Sequence, residues 1–433
     1  MQNPHPYDLV LGLDRSDAKA DLCLIETGTL HRSSLCLDTS PEALWEWLCE
    51  LRQLHPKARI ALCLEQPAGH LISFLEAYDW IDLYPINPIT LQKYREAFVT
   101  SRAKDDTRDA DYLADLLLNH LDKLKLWAPE DDPTRAIQQQ VFHRRSVVDE
   151  RTALTNRLQA LLKQYFPQAL ALCGEDLWRP LATRFLLKWP SLQSVQKAKS
   201  SSLVQFYHLQ GSRSPSLLQQ RLALIQKAVP VTDQAAVIDS FVLRVQLIAR
   251  QLQLLQQAVA TFDRQIAQAY QQHPDYPIFQ SLPGAGPTLG PRLLGSLGSQ
   301  RERYPSHTNL QRYTGTAPVT KKSGGSCRIH RRYLCPKFHR QSFHEYAKES
   351  VLHSRWAAAY YLQQRTKGSS HHTAVRALAF KWQRLIWRCW QDRKPYSEQV
   401  YEAVLRRRHS PLVPLFNKIT VGKSPFKNPM NKS

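Results

Sequence analysis

Apolar residues follow two rhythms that change along the chain. Residues 7–14, 20–26 and 31–37 are short apolar or alternating runs separated by turn residues, which predicts three consecutive strands. From Pro41 to about Leu54 the spacing becomes helical, with Ala43, Leu44, Trp47, Leu48 and Leu51 on one face and Ser40 at the N-cap position. A buried strand follows at 59–65, a helix at about 69–78, a short strand at 82–85 and a helix at roughly 89–98. A last helix is predicted from about Thr107 to Asn119, with Ala110, Leu113, Ala114 and Leu117 facing inward.

Three meandering strands followed by alternating helices and strands is the order of an α/β, ribonuclease-H-like domain. In that fold the first and fourth strands are neighbours. The middle of the chain is different: 134–165 and 235–273 are long helical segments without Gly. In the second, Ile238, Phe241, Val245, Ile248, Leu252, Leu255, Val259, Phe262 and Ile266 alternate steps of three and four, a seam of about four heptads. Such a seam serves either an antiparallel pair within the chain or a dimerisation arm. Between the two segments, 166–234 carries five prolines with Trp178 and Trp189 and predicts an insertion of short helices. A last, mainly α domain starts near Pro277, with helices at roughly 340–365 and 370–391, and the tail from Ser410 reads as flexible. The domains predicted are thus 1–125, 126–275, 276–408 and a tail, 409–433.

Charge sharpens this division. Of the 433 residues, 58 are Lys or Arg and 37 Asp or Glu, a net of +21. Residues 291–433 hold 28 of the basic and 6 of the acidic ones, a net of +22, which leaves −1 for residues 1–290. So uneven a distribution points to a polyanionic partner, DNA or RNA, more than to a membrane surface. No apolar run is long enough to span a bilayer and no leader peptide is evident, which predicts a cytosolic protein. The eight Cys form no CxxC pair, as expected of reduced thiols.

The chemistry begins with four carboxylates. Asp14 ends the first apolar run, Glu65 ends the buried strand, and Asp106 and Asp109 lie three apart where a helix begins. Any one of them could be a turn or helix cap. Together they are what two hard cations need to hold a phosphodiester. Asp17, Asp105 and Asp111 are rivals for individual places.

The basic third holds the other candidates. Pro283-Gly284-Ala285-Gly286 before a helix offers backbone N–H groups and a positive dipole end to a phosphate, or is a plain turn. Ser323 stands between Lys321-Lys322 and Gly324-Gly325, a surface turn or an exposed hydroxyl nucleophile, with Ser326 as its rival. Cys327, His330, Cys335 and His339 have a spacing that tempts a zinc reading, but the pairs are too close for an ordinary finger. Basic and aromatic residues interleave from Arg328 to Trp390, including Arg331, Arg332, Tyr333, Phe343, Tyr346, Trp356 and Tyr360, a pattern suited to backbone contact and base stacking. Trp382, Trp387 and Trp390 read better as helix core.

These residues resemble the DEDD transposases of the insertion-sequence one-ten family, bridge-RNA-guided recombinases. The resemblance rests on Gly12-Leu13-Asp14, Glu65, Lys104-x-Asp106-x-x-Asp109-Ala110, Pro283-Gly284-x-Gly286, Tyr313-x-Gly315-x-x-Pro318 and Ser323-Gly324-Gly325, in this order around a helical middle. It implies a RuvC-like N-terminal domain binding Mg²⁺ through Asp14, Glu65, Asp106 and Asp109, and a C-terminal domain whose Ser323 links covalently to cleaved DNA. It also implies a homo-oligomer, dimer to tetramer, with a site built from two subunits, and a non-coding RNA pairing with donor and target DNA. Gly284, Gly286, Lys321, Lys322, Arg328, Arg331 and Arg332 would contact nucleic acid. The chain departs from the pattern in Asp105, where Ser or Thr is common, and in the length of the insertion. The alternatives are a RuvC-like nuclease using metal-activated water and an inactive nucleic-acid-binding relative.

Overall fold

Five strands come together in one mixed sheet because two of them are apolar on both faces. In the computed structural model, which describes residues 5–16, 18–65, 70–98, 106–416, 419 and 422, these are β1 (Leu9–Arg15), β2 (Lys19–Glu26), β3 (Arg32–Asp38), β4 (Ile60–Glu65) and β5 (Ile81–Ile86), in the order β3-β2-β1-β4-β5. β1 pairs antiparallel with β2 and parallel with β4, so the first and fourth strands are neighbours, as the ribonuclease-H-like order predicts. Leu9–Leu13 and Ile60–Leu64 are buried throughout, as expected of central strands covered on both sides.

Strand alternation sends the two sets of side chains to different helices. Leu9, Leu11, Leu13, Ile60, Leu62 and Leu64 pack against α1 (Pro41–Leu54) and α2 (His70–Leu75) through Leu44, Leu48, Leu51, Leu71 and Leu75. Val10, Cys23, Ile25, Ala61 and Cys63 face α4 (Asp106–His120), packing on Ala110, Leu113, Ala114 and Leu117, with Leu91 of α3 (Pro88–Phe98) beside them. This N-terminal unit, Met1–Pro129, has the ribonuclease-H-like fold.

The second compact unit, Glu130–Ser433, is almost entirely helical. α5 (Asp132–Tyr165) begins at Asp131, whose side chain accepts from the Thr134 N–H. Five short helices follow: α6 (Ala169–Cys173), α7 (Pro180–Lys188), α8 (Leu192–Gln196), α9 (Ser200–Leu209) and α10 (Pro215–Lys227). α11 (Ala235–Gln272) then returns along α5. Its Val245, Ile248 and Leu252 share a core with Leu158 and Leu162 near the end of α5, while Ile266 and Tyr270 share another with Ile137 and Val141 near its start. The Arg144–Asp263 ion pair, 2.6 Å, lies between. The seam of α11 therefore lies against α5 in an antiparallel pair within the chain.

Beyond this pair come α12 (Tyr276–Gln280), α13 (Gly286–Leu297) and α14 (His307–Tyr313), then a hairpin of β6 (Val319–Ser323) and β7 (Ser326–His330). α15 (Lys337–His353), α16 (Arg355–Thr366), α17 (His371–Gln391), α18 (Glu398–Arg407) and α19 (Val413–Phe416) complete it. The single helix expected at 340–365 is two helices. Ser354 separates them, accepting from the Ala357 N–H as a cap and donating to Glu398. Of the tail read as flexible, 417–418, 420–421 and 423–433 lie outside the described residues. No described helix is long and apolar enough to cross a membrane, and the Cys are free thiols, with Cys23, Cys63 and Cys173 buried.

Candidate functional site

Register brings Asp14 and Glu65 together. Leu13 of β1 lies opposite Leu64 of β4, so the next residue of each parallel strand stands at the same height. Both continue the series that faces α4, Asp14 after Val10 and Gly12, Glu65 after Ala61 and Cys63. Asp21 of β2 is paired directly with Asp14 and shares that face with Cys23 and Ile25. Its position beside the tetrad was not read from the sequence. Apolar spacing alone does not fix the β1–β2 register that puts it there.

Gly12 explains how closely the helix approaches. A Cβ there would lie 2.0 Å from the Ala110 carbonyl oxygen, 2.4 Å from the Ala114 nitrogen and 2.8 Å from Leu113 Cβ. The backbone of α4 lies directly on the strand, and its first residue, Asp106, stands one turn before Ala110. The Asp106 side chain and residues 17 and 105, rivals in the sequence, lie outside the described residues. Gly12→Ala should therefore force α4 off the sheet and destabilise this unit by about 1–3 kcal/mol. A lower thermal midpoint in calorimetry checks it.

Asp109 is 3% exposed and already has a cation. Nη1 of Arg95, on α3, donates to both of its carboxylate oxygens, at 2.9 and 2.7 Å. α3 is held there by Tyr94, whose ring meets Tyr112 and His120 of the α4 side edge-on. Asp111 bonds to the Cys23 thiol, which burial and this bond push up to about 12. Among the described residues no three Asp, Glu, His or Cys side chains converge closely enough to chelate an ion. The donor set at the strand ends is nevertheless all carboxylate, the hard-oxygen chemistry that suits Mg²⁺. Asp14 stands directly opposite Asp21, a third carboxylate at this end of the sheet.

In the second unit Ser323 ends β6, and Ser326 opens β7 directly opposite it across the Gly324-Gly325 turn. Gly324 has a φ of 54°, which such a tight hairpin turn requires. The Ser326 hydroxyl donates to the Ser323 carbonyl at 3.2 Å; among the described residues no hydrogen bond engages the Ser323 hydroxyl. Lys321 pairs with Arg328. Alternation puts both on the face that carries Ser323, while Lys322 and Cys327 share the other. Every residue from Thr320 to Arg331 is exposed. Two cations directly opposite repel, and a lone two-stranded hairpin is marginal in water. The base of the hairpin is fixed where Gly315, φ 73°, lets Cys335 lie against the turn after α14; a Cβ there would be 2.2 Å from its Sγ. Arg331 and Arg332 follow β7, with the Arg331 guanidinium 5.8 Å from the Tyr333 ring centroid.

Gly284 and Gly286 both have positive φ, 78° and 54°. Gly284 packs against the His353 ring, leaving no room for a Cβ. Gly286 opens α13 and borders a cleft of about 210 Å³ with Tyr270, Gln271, Tyr276, Gln280 and Pro287. The aromatic stretch divides. Phe343, Tyr346 and Trp356 are fully buried beside Trp382 and Trp390, so they are core and not the stacking surface expected of them. Tyr333, 74% exposed, stays outside. Cys327 and His330 are exposed on β7, and the described residues form no zinc site.

Residues 11–167 match a family model described as a transposase, the DEDD type of IS110. Residues 276–362 match one described as the transposase of the IS116/IS110/IS902 family. The first span contains Asp14, Glu65, Asp106 and Asp109, and the second Gly284, Gly286 and Ser323. The chain is 27% identical to the "Mini-circle putative transposase for IS117" of Streptomyces coelicolor over 396 residues, 90% of this chain and 95% of that protein. It is 24% identical to the "Insertion element IS116 uncharacterized 44.8 kDa protein" of Streptomyces clavuligerus, over 86% of this chain and 95% of the relative. Against the "Insertion element IS110 uncharacterized 43.6 kDa protein" of S. coelicolor the identity is 27%, over 64% and 68%.

Proposed function

Because the chain belongs to the IS110 family of DEDD transposases, we propose that it excises and inserts DNA through a covalent serine–DNA intermediate. Ser323 is the nucleophile, and Asp14, Glu65, Asp106 and Asp109 hold Mg²⁺, two ions in all. Residues 1–125 then carry the metal chemistry, 126–275 a helical connection and 276–408 the nucleophile. The observation that carries this reading is the exposed hairpin face on which Ser323 stands with Lys321 and Arg328.

The two cations attract a phosphate to the face that bears the hydroxyl. The Ser323 oxygen attacks phosphorus, forming an Oγ–P bond as the P–O bond to the deoxyribose leaving group breaks. The hydroxyl proton passes to solvent and the leaving oxygen takes one up. In the reverse step a deoxyribose hydroxyl attacks the same phosphorus and Ser323 departs with its electron pair, so rejoining needs no external energy source. When bound between the carboxylates, Mg²⁺ supplies Lewis-acid polarisation of the phosphate.

Three further parts belong to the same proposal. Gly286, Lys322, Arg331 and Arg332 contact nucleic-acid backbone, with Gly284 shaping the turn. The +22 of residues 291–433 suits a bridge RNA as well as DNA. The protein works as a homo-oligomer, and Leu243, Leu247 and Leu254, exposed on α11 at 71, 46 and 65%, offer a surface for it once the seam is spent on α5. Lys321→Ala with Arg328→Ala tests the role of these two cations at the phosphate. DNA affinity should weaken across unrelated sequences, and the slope of log affinity against log salt should fall by about 1 for each cation removed from the backbone. An unchanged slope would remove the hairpin from the interface.

A further inference from the structure

Resting on the assignment of Asp109 to the metal site, we infer that Arg95 is a built-in counter-cation that competes with the metal for Asp109. The Asp109 carboxyl is 3% exposed and lies in the first turn of α4, three residues from Asp106. A carboxylate so buried is costly without a positive partner. The partner present is the guanidinium of Arg95, itself mostly buried, with a side chain 19% exposed.

The geometry of the pair is unusual for arginine. A stable Arg–carboxylate pair presents two nitrogens to two oxygens in a parallel fork. Here a single nitrogen, Nη1, spans both Oδ1 and Oδ2, at 2.9 and 2.7 Å. Both oxygens are engaged, but by one donor that has to surrender only one of them for another cation to bind. Arg95 does not hang from a loose segment. The neighbouring Tyr94 packs on Phe98, Tyr112 and His120, so the helix that carries the guanidinium is fixed against the helix that carries the carboxylate. Metal binding is then an exchange in which Arg95 is displaced from at least one oxygen, and a neutral residue at 95 removes the competitor.

The test is Mn²⁺ binding to the full chain by calorimetry, with the thermal midpoint of each variant recorded in EDTA and in Mn²⁺. Arg95→Gln should bind Mn²⁺ about tenfold more tightly than wild type, equivalent to about 1.4 kcal/mol. It should melt lower than wild type in EDTA and recover most of that loss in Mn²⁺. Arg95→Lys, which keeps the charge, should bind within about threefold of wild type. If Asp109→Asn loses Mn²⁺ while Arg95→Gln binds it no more tightly than wild type, the competition is overturned and the metal site stands. If Arg95→Gln binds Mn²⁺ more weakly, Arg95 holds Asp109 in place for the metal, which also overturns it. If Asp109→Asn and Glu65→Gln both bind like wild type, the metal site itself is wrong.

Discussion

Glu65→Gln should leave a folded protein that still binds DNA but cleaves it at least about a hundredfold more slowly. The substitution keeps the volume and removes the charge at the end of β4, where the strand side chain is only half-buried. Asp14→Asn should do the same from β1, one strand away at the same register. The two together should be little worse than either alone, because ligands of one site act as a unit. Cleavage of a labelled duplex under single-turnover conditions, with Mg²⁺ varied, measures the loss. A rate that recovers at high Mg²⁺ in Glu65→Gln points to a weakened site, and a rate indifferent to both substitutions removes these carboxylates from the chemistry.

Ser323→Ala should abolish cleavage and rejoining while DNA affinity stays within about twofold of wild type. The hydroxyl is exposed, and among the described residues it holds no hydrogen bond that shapes the hairpin, so its loss leaves the turn intact. Ser326→Ala separates the two serines. Its hydroxyl closes the turn by donating to the Ser323 carbonyl, and its removal should cost about 1 kcal/mol of local stability and leave strand transfer running. Loss of activity in Ser326→Ala with retention in Ser323→Ala would exchange their roles.

Much of the N-terminal unit was legible because its strands are apolar in a period that only a covered sheet explains. The pairing of β1 with β4 followed from the order of elements, and with it the meeting of Asp14 and Glu65. What escaped was anything set by tertiary contact. Arg95 is fourteen positions from Asp109, on another helix, and nothing in Tyr94-Arg95-Glu96 marks it as a partner. Asp21 is one polar residue in an alternating strand, and only its register opposite Asp14 sets it apart.

The C-terminal unit misled in the opposite way. Thr320-Lys321-Lys322-Ser323 has no apolar alternation, so it reads as loop, and only the Gly324-Gly325 spacing marks the hairpin. Phe343, Tyr346 and Trp356 interleave with basic residues because α15 and α16 are amphipathic. The aromatics take the inner side and Lys348 the outer one. The periodic seam of α11 was plain, but periodicity states that a face is buried, not against what.

In the proposed reaction the attacking oxygen belongs to Ser323 and the carboxylates serve the phosphate it attacks. Trapping the protein on a nicked or suicide DNA substrate in Mg²⁺, digesting the adduct and locating the attachment by mass spectrometry tests this directly. A DNA phosphate is expected on the peptide containing Ser323, at that residue, absent from Ser323→Ala and accumulating at least about a hundredfold more slowly in Glu65→Gln. Cleaved DNA with no protein attached, or an adduct on any other residue, would contradict it.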